Sequence, residues 1–120
     1  MTTITIKNLR LRTIVGIEDF ERKNKQDVIL NISIESNADQ AIADDDIDHA
    51  CDYKTITKKI ITTVEDSTFY LLEKLTDTVL QLIMEHPRVT AAAVEIDKPH
   101  ALRFADSVSV KRSAVKKAAP

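Results

Sequence analysis

Apolar residues change their spacing several times along this chain, and each change marks a different element. Residues 4–15 alternate apolar with polar, the period of a half-buried strand, but the parity switches. Ile4 and Ile6 fall on even positions, whereas Leu9, Leu11 and Val15 fall on odd ones. A strand keeps one face unless an extra residue intervenes, so the switch predicts a bulge or bend near Asn8. Val28, Leu30, Ile32 and Ile34 then form a second strand, with Asn31, Ser33 and Glu35 on its other face. Between the two, Glu18 to Asp27 is polar and reads as a loop.

The period then lengthens. Ala38 to Cys51 is acidic and fits one or two short helical turns. Asp52 is placed to cap a helix from about Lys54 to Glu65, where Ile56, Ile60 and Val64 recur at four-residue spacing. A second helix is predicted from about Leu71 to Glu85, with Leu72, Leu75, Val79, Leu82 and Ile83 facing inward and Pro87 ending it. Alternation returns in Val89–Lys98 and in Ala105–Arg112, two further strands. The order β-β-α-α-β-β predicts an α+β domain: a four-stranded antiparallel sheet with both helices on one face. One domain spans residues 1–120, with an ordered core of about 3–113 and a short frayed tail at 114–120.

Composition narrows the chemistry. The 120 residues are 43% hydrophobic and 30% charged, with a net charge of -2, so no global field draws in nucleic acid or an anionic membrane. Gly16 is the only glycine, and phosphate-cradling loops need several for close backbone approach, which excludes P-loop and dinucleotide-binding readings. The single cysteine, Cys51, forms no internal disulfide and lies among acids that disfavour a thiolate, so it is expected to be a packing residue. His49, His86 and His100 lack the spacing of metal ligands, and no metal is expected. With neither a signal-peptide pattern nor a membrane-length apolar run, the chain is expected in the cytoplasm.

The densest chemistry lies in Glu95–Val110. A strand delivers Lys98 to its end, Pro99 stops the ladder, and an irregular loop follows, leaving a stiffly held ammonium within a substrate's reach. By itself such a lysine is more often a solvated charge. Three further stretches stand in order with it: residues 6–17 followed by Glu21 and Gln26-Asp27, residues 52–58 containing Tyr53, and residues 69–76 containing Glu73. Together they resemble the dihydroneopterin aldolase and epimerase family over nearly the whole chain. The flanks Lys7–Arg12 and His100–Ser109 resemble the epimerase branch, and His100 stands where aldolases more often carry glycine.

The resemblance implies a tunnelling fold, whose subunits join sheets into rings that stack, and hence a homo-oligomer, an octamer of two tetrameric rings. It implies that Glu73 binds the 2-amino and N3–H edge of a pterin, a guanidine-like edge to which a carboxylate offers two parallel hydrogen bonds. A backbone group around Leu72 would complete that recognition. It makes Lys98 the catalytic base, directly or through a water, Tyr53 the proton donor at C1′ in a neighbour's site, and Glu21 a contact to the substrate's polyol tail. Each of these residues taken singly has a plainer role: a solvated loop charge for Glu21, an acid complementing a helix dipole for Glu73, interface packing for Tyr53.

The implied chemistry is a retro-aldol reaction needing no cofactor, because the dihydropterin's C6=N5 imine accepts the electrons released when C1′–C2′ breaks. Re-addition of the held aldehyde from its other face inverts C2′ of dihydroneopterin triphosphate, giving dihydromonapterin triphosphate. Release instead gives 6-hydroxymethyl-7,8-dihydropterin and glycolaldehyde, the aldolase outcome, which uses the same residues. A non-catalytic pterin-binding or scaffold protein is the remaining alternative. Basic residues that would tether the triphosphate are His100 and Arg103, beyond Lys98, or Arg10 and Arg12 on the first strand.

Overall fold

The computed structural model describes residues 1–117. Its elements run β1 (Thr2–Val15), α1 (Asp19–Lys23), β2 (Gln26–Ser36), α2 (Asp39–Asp44), a 3-10 turn (Ile47–His49), α3 (Tyr53–Asp66), β3 (Thr68–Phe69), α4 (Leu72–Met84), β4 (Val89–Lys98) and β5 (Val108–Val115). The strands form one sheet in the order β3-β1-β2-β4-β5. All neighbours are antiparallel except β1 and β3, where Ile14 and Val15 run parallel to Thr68 and Phe69. The α+β class stands, but the sheet has five strands and is mixed. β3 escaped sequence reading because two residues are too few to show alternation.

The parity switch in β1 is a bulge. Ile6 pairs with Ile32 and Leu9 with Leu30, which leaves two residues on β1, Lys7 and Asn8, against one on β2, Asn31. Asn8 takes φ 53° there, a conformation asparagine tolerates better than most residues. Its amide donates to Asn31 Oδ1 at 2.9 Å. The extra residue keeps Ile4, Ile6, Leu9 and Leu11 on the face that carries Val28, Leu30, Ile32 and Ile34. Across β2 the same face continues into Ala92, Val94 and Ile96 of β4.

Helices α3 and α4 cover that face, α3 against β1 and α4 against β4 and β5. Asp52 caps α3 as its position suggested, accepting from the amides of Lys54 and Thr55. Ile56, Ile60 and Val64 are buried. The buried face of α4 is Leu72, Leu75, Thr76, Val79, Leu80 and Ile83. Leu82, expected among them, lies at the margin and is only partly buried. Thr76 enters the core because its hydroxyl donates to the Leu72 carbonyl one turn back, at 2.8 Å.

Two expectations need correction. The polar segment after β1 is not all loop, since Asp19–Lys23 forms a helical turn held by a capping box between Glu18 and Glu21. The last strand starts at Val108 rather than Ala105 and runs to Val115, through residues expected to fray. The loop before it is closed by a turn, Ala101 N–H to Lys98 C=O at 3.3 Å, and by Ser107 Oγ donating to Asp97 at 2.7 Å. Phe104 at φ 70° interrupts any extended run. Arg112 made the strand seem to end early, yet it sits on the helix-facing side, where its guanidinium meets Asp77 of α4 at 3.1 Å. Residues 118–120 of the expected tail lie outside the described residues. No helix among the described residues is long and apolar enough to cross a membrane.

Candidate active site

Lys98 ends β4, and its ammonium donates to Glu21 Oε2 across 77 positions of sequence. Both side chains are mostly buried. Three features aim Glu21. Gln26 Nε2 donates to the same carboxylate oxygen at 3.0 Å while also donating to the Val15 carbonyl at 2.9 Å. The capping box of α1 fixes the residue's backbone. Gly16 leaves the carboxylate its space: its φ is +136°, and a Cβ there would overlap the Glu21 carboxylate. The Lys98 hydrogen bond first, and Gln26 second, hold the Glu21 carboxyl below its ordinary value, against an upward push from burial. The ammonium form of Lys98 makes this bond, and it has no lone pair with which to accept a proton. Its proton must move to a neighbour or a water before Lys98 can act as a base.

Helix α4 begins at the same end of the domain. β3 brings Phe69 beside Val15, and Gly16 N–H donates to the Phe69 carbonyl at 3.1 Å. Three residues later the helix starts. Its N-cap is Leu71, which makes no side-chain cap, so the first amides of the helix have no intrahelical acceptor. Leu72 is buried and its carbonyl is taken by Thr76, which leaves its amide as the group suited to recognition. Glu73 is exposed in this first turn.

His100 and Arg103 are exposed in the loop after Lys98, and the Arg103 guanidinium lies over the Phe104 ring at 5.4 Å. Arg12 is committed elsewhere: it pairs with Asp27 at 3.2 Å and donates to the Lys25 carbonyl at 3.1 Å. Cys51 is buried, and burial, reinforced by Asp52, pushes its thiol up, as suits a packing residue.

Tyr53 is not near the pair within one chain. It opens α3 at the end of the domain where β4 begins: Arg88, just before β4, donates to the Asp48 carbonyl, and Lys116 donates to the His86 carbonyl and acts on Cys51. Lys98 lies at the other end of the ten-residue β4, about 30 Å away at the rise of a strand. α3 runs toward Lys98's end only at its C-terminus, where the buried Thr13 hydroxyl is shared between the carbonyls of Val64 and Ser67. Large apolar side chains are exposed at both ends. Ile17, Phe20, Tyr70, Leu71, Leu102 and Phe104 surround the Glu21–Lys98 end, and Ile42, Ile47 and Tyr53 mark the other.

In the sequence Gln26 stands out only within the stretch that carries the family resemblance, because its contacts to the Val15 carbonyl and the Glu21 carboxylate form only on folding.

Comparison with known proteins identifies the family and the fold. The family described as FolB, dihydroneopterin aldolase, matches residues 4–113. Dihydroneopterin triphosphate 2′-epimerases of Pseudomonas aeruginosa and of Escherichia coli K12 are each 54% identical over 110 residues. That is 92% of this chain and 89% and 92% of theirs. The crystal structure of Escherichia coli dihydroneopterin aldolase in complex with neopterin superposes with a TM-score of 0.90 at 24% identity, over 95% of this chain and 99% of that one, a likeness of fold. This chain belongs to the dihydroneopterin aldolase family.

Proposed function

We propose that this chain is an epimerase that inverts C2′ of 7,8-dihydroneopterin 3′-triphosphate by retro-aldol and aldol steps. The observation that carries the proposal is the 54% identity, over 92% of the chain, to two proteins named for that reaction. The fold is the tunnelling fold, as one pterin-binding domain. Glu73 and the Leu72 amide at the open start of α4 hold the pterin edge. Lys98 serves as the base for the 2′-hydroxyl, its spare proton passing first to a water while Glu21 stays a carboxylate. As the 2′-oxygen loses its proton, the C1′–C2′ bond breaks, its electrons move to C1′ and into the C6=N5 imine, and C2′ becomes the aldehyde carbon. The aldehyde turns, the enamine carbon C1′ attacks its other face, and the proton returns to the 2′-oxygen. Tyr53 protonates C1′ only in the cleavage side reaction. The protein is cytoplasmic.

The site is completed by a second copy of the chain. Tyr53 and Lys98 sit at opposite ends of one domain, each end carries exposed apolar side chains, and β5 and most of β1 have an unpaired edge. Repeated end-to-end contacts of this kind close into rings, and an octamer of two tetrameric rings fits them. His100 and Arg103 tether the triphosphate, keeping the aldehyde from escaping.

Steady-state kinetics on dihydroneopterin triphosphate and on free dihydroneopterin test the proposal. The triphosphate should be preferred by about tenfold or more in kcat/KM, the equivalent of one charge-assisted contact. The preference should shrink as salt rises and in Arg103→Ala. Equal efficiency on both substrates would move the chain to the aldolase branch.

A further inference from the structure

Arg22 stands one residue after Glu21 and has no carboxylate partner among the described residues. Its Nη1 donates to two carbonyls, Gly16 at 3.2 Å and Phe69 at 2.7 Å. Its guanidinium carbon lies over the Tyr70 ring, 3.8 Å from the ring's centre. The Phe69 carbonyl also accepts from Gly16 N–H. One half-buried side chain thus joins the turn leaving β1 and the helical turn that carries Glu21 to the junction from β3 into α4, 47 positions further along the chain.

Phe69 and Leu72 on either side of that junction are buried in the core, but between them Tyr70 and Leu71 are exposed, β3 is only two residues long, and Leu71 provides no side-chain cap for α4. Glu73 follows Phe69 by four residues, so its placement relative to Glu21 and Lys98 depends on what holds Phe69 and Tyr70.

We propose that Arg22 is a positioning residue. It keeps the Glu21–Lys98 pair and the first turn of α4 at one separation, so that a pterin held by Glu73 presents its C1′–C2′ bond to Lys98. The proposal rests on the functional reading above. An arginine suits this task because its planar guanidinium stacks on the ring while its edge donates to carbonyls. A lysine can reach a carbonyl but has no face to stack.

The test uses Arg22→Met and Arg22→Lys in the assembled protein. Hydrogen exchange without ligand is followed in residues 16–21 and 69–73, with neopterin titration by fluorescence, kcat, and the thermal midpoint alongside. Arg22→Met should speed exchange in both segments together. It should raise the neopterin Kd and cut kcat by about tenfold each, as small misplacements do, with the midpoint and assembly unchanged. Arg22→Lys should recover part of each loss. In the Arg22→Met background, Glu73→Gln should cost less binding than in the parent, because both changes remove the same held geometry. Should Arg22→Met fail to fold, Arg22→Lys carries the test through its loss of the stack. Unchanged exchange in both segments, or a Kd and kcat both within twofold of the parent, would overturn the proposal. A parent that neither binds neopterin nor turns over a dihydropterin would overturn the functional reading and the catalytic part of this one. The exchange arm would still decide whether Arg22 couples the two segments.

Discussion

Glu21 and Lys98 are worth most together. The lysine at a strand end was legible, because a proline and an irregular loop follow it in the sequence. Its carboxylate partner was legible only through family resemblance, since 77 positions separate the two and no local spacing links them. The pair has a consequence for stability. A carboxyl held below its ordinary value of 4.5 in the fold adds stability that is complete above that value. This stability disappears as pH falls through the lowered folded value. Urea unfolding measured from about pH 6 down to about pH 3 should therefore show the parent losing an increment that Glu21→Gln never had, so the two stability curves converge in acid. Parallel curves would mean that the pair contributes nothing to folding.

Elements built on periodicity were readable, and elements built on a few residues were not. β2, α3 and β4 announce themselves through apolar spacing, and even the bulge at Asn8 follows from a change of parity. α1 was missed because its five residues bury nothing, and β3 because it is only two residues long. β5 was expected to end at Arg112, three residues short, since an inward arginine paired to α4 breaks the apolar alternation. The turn from β1 into α1 shows how a small element sets the site. Gly16 has a φ open to glycine and almost closed to other residues, and its missing side chain is the space that Glu21 fills. Gly16→Ala should lower stability by about 1–3 kcal/mol and displace Glu21. Turnover should then fall further than the lost stability alone would explain. An alanine variant with parental turnover would separate Glu21 from the chemistry.

Lys98 lies at one end of the domain and Tyr53 at the other, which is why the proposed site calls for a second copy of the chain. Exposed apolar side chains at both ends and unpaired strand edges are the surfaces such an assembly would cover, and in the sequence the assembly was legible only through the family resemblance. Mixing subunits tests the arrangement. Tyr53→Phe and Lys98→Ala should each be inactive for cleavage of free dihydroneopterin as pure assemblies. Dissociated and reassembled in equal amounts, they should restore about one site in four with both parental side chains, if each site draws on two copies. No recovery in reassembled mixtures would place the site within one chain. The central claim, inversion at C2′ by carbon–carbon cleavage and re-addition, is tested most directly by identifying the product. Purified protein is incubated with 7,8-dihydroneopterin 3′-triphosphate, and the pterins are dephosphorylated, oxidised and separated by chromatography. Monapterin should accumulate toward an equilibrium mixture with neopterin, with 6-hydroxymethylpterin a minor product. A product that is mainly 6-hydroxymethylpterin, or neopterin returned unchanged, would contradict it.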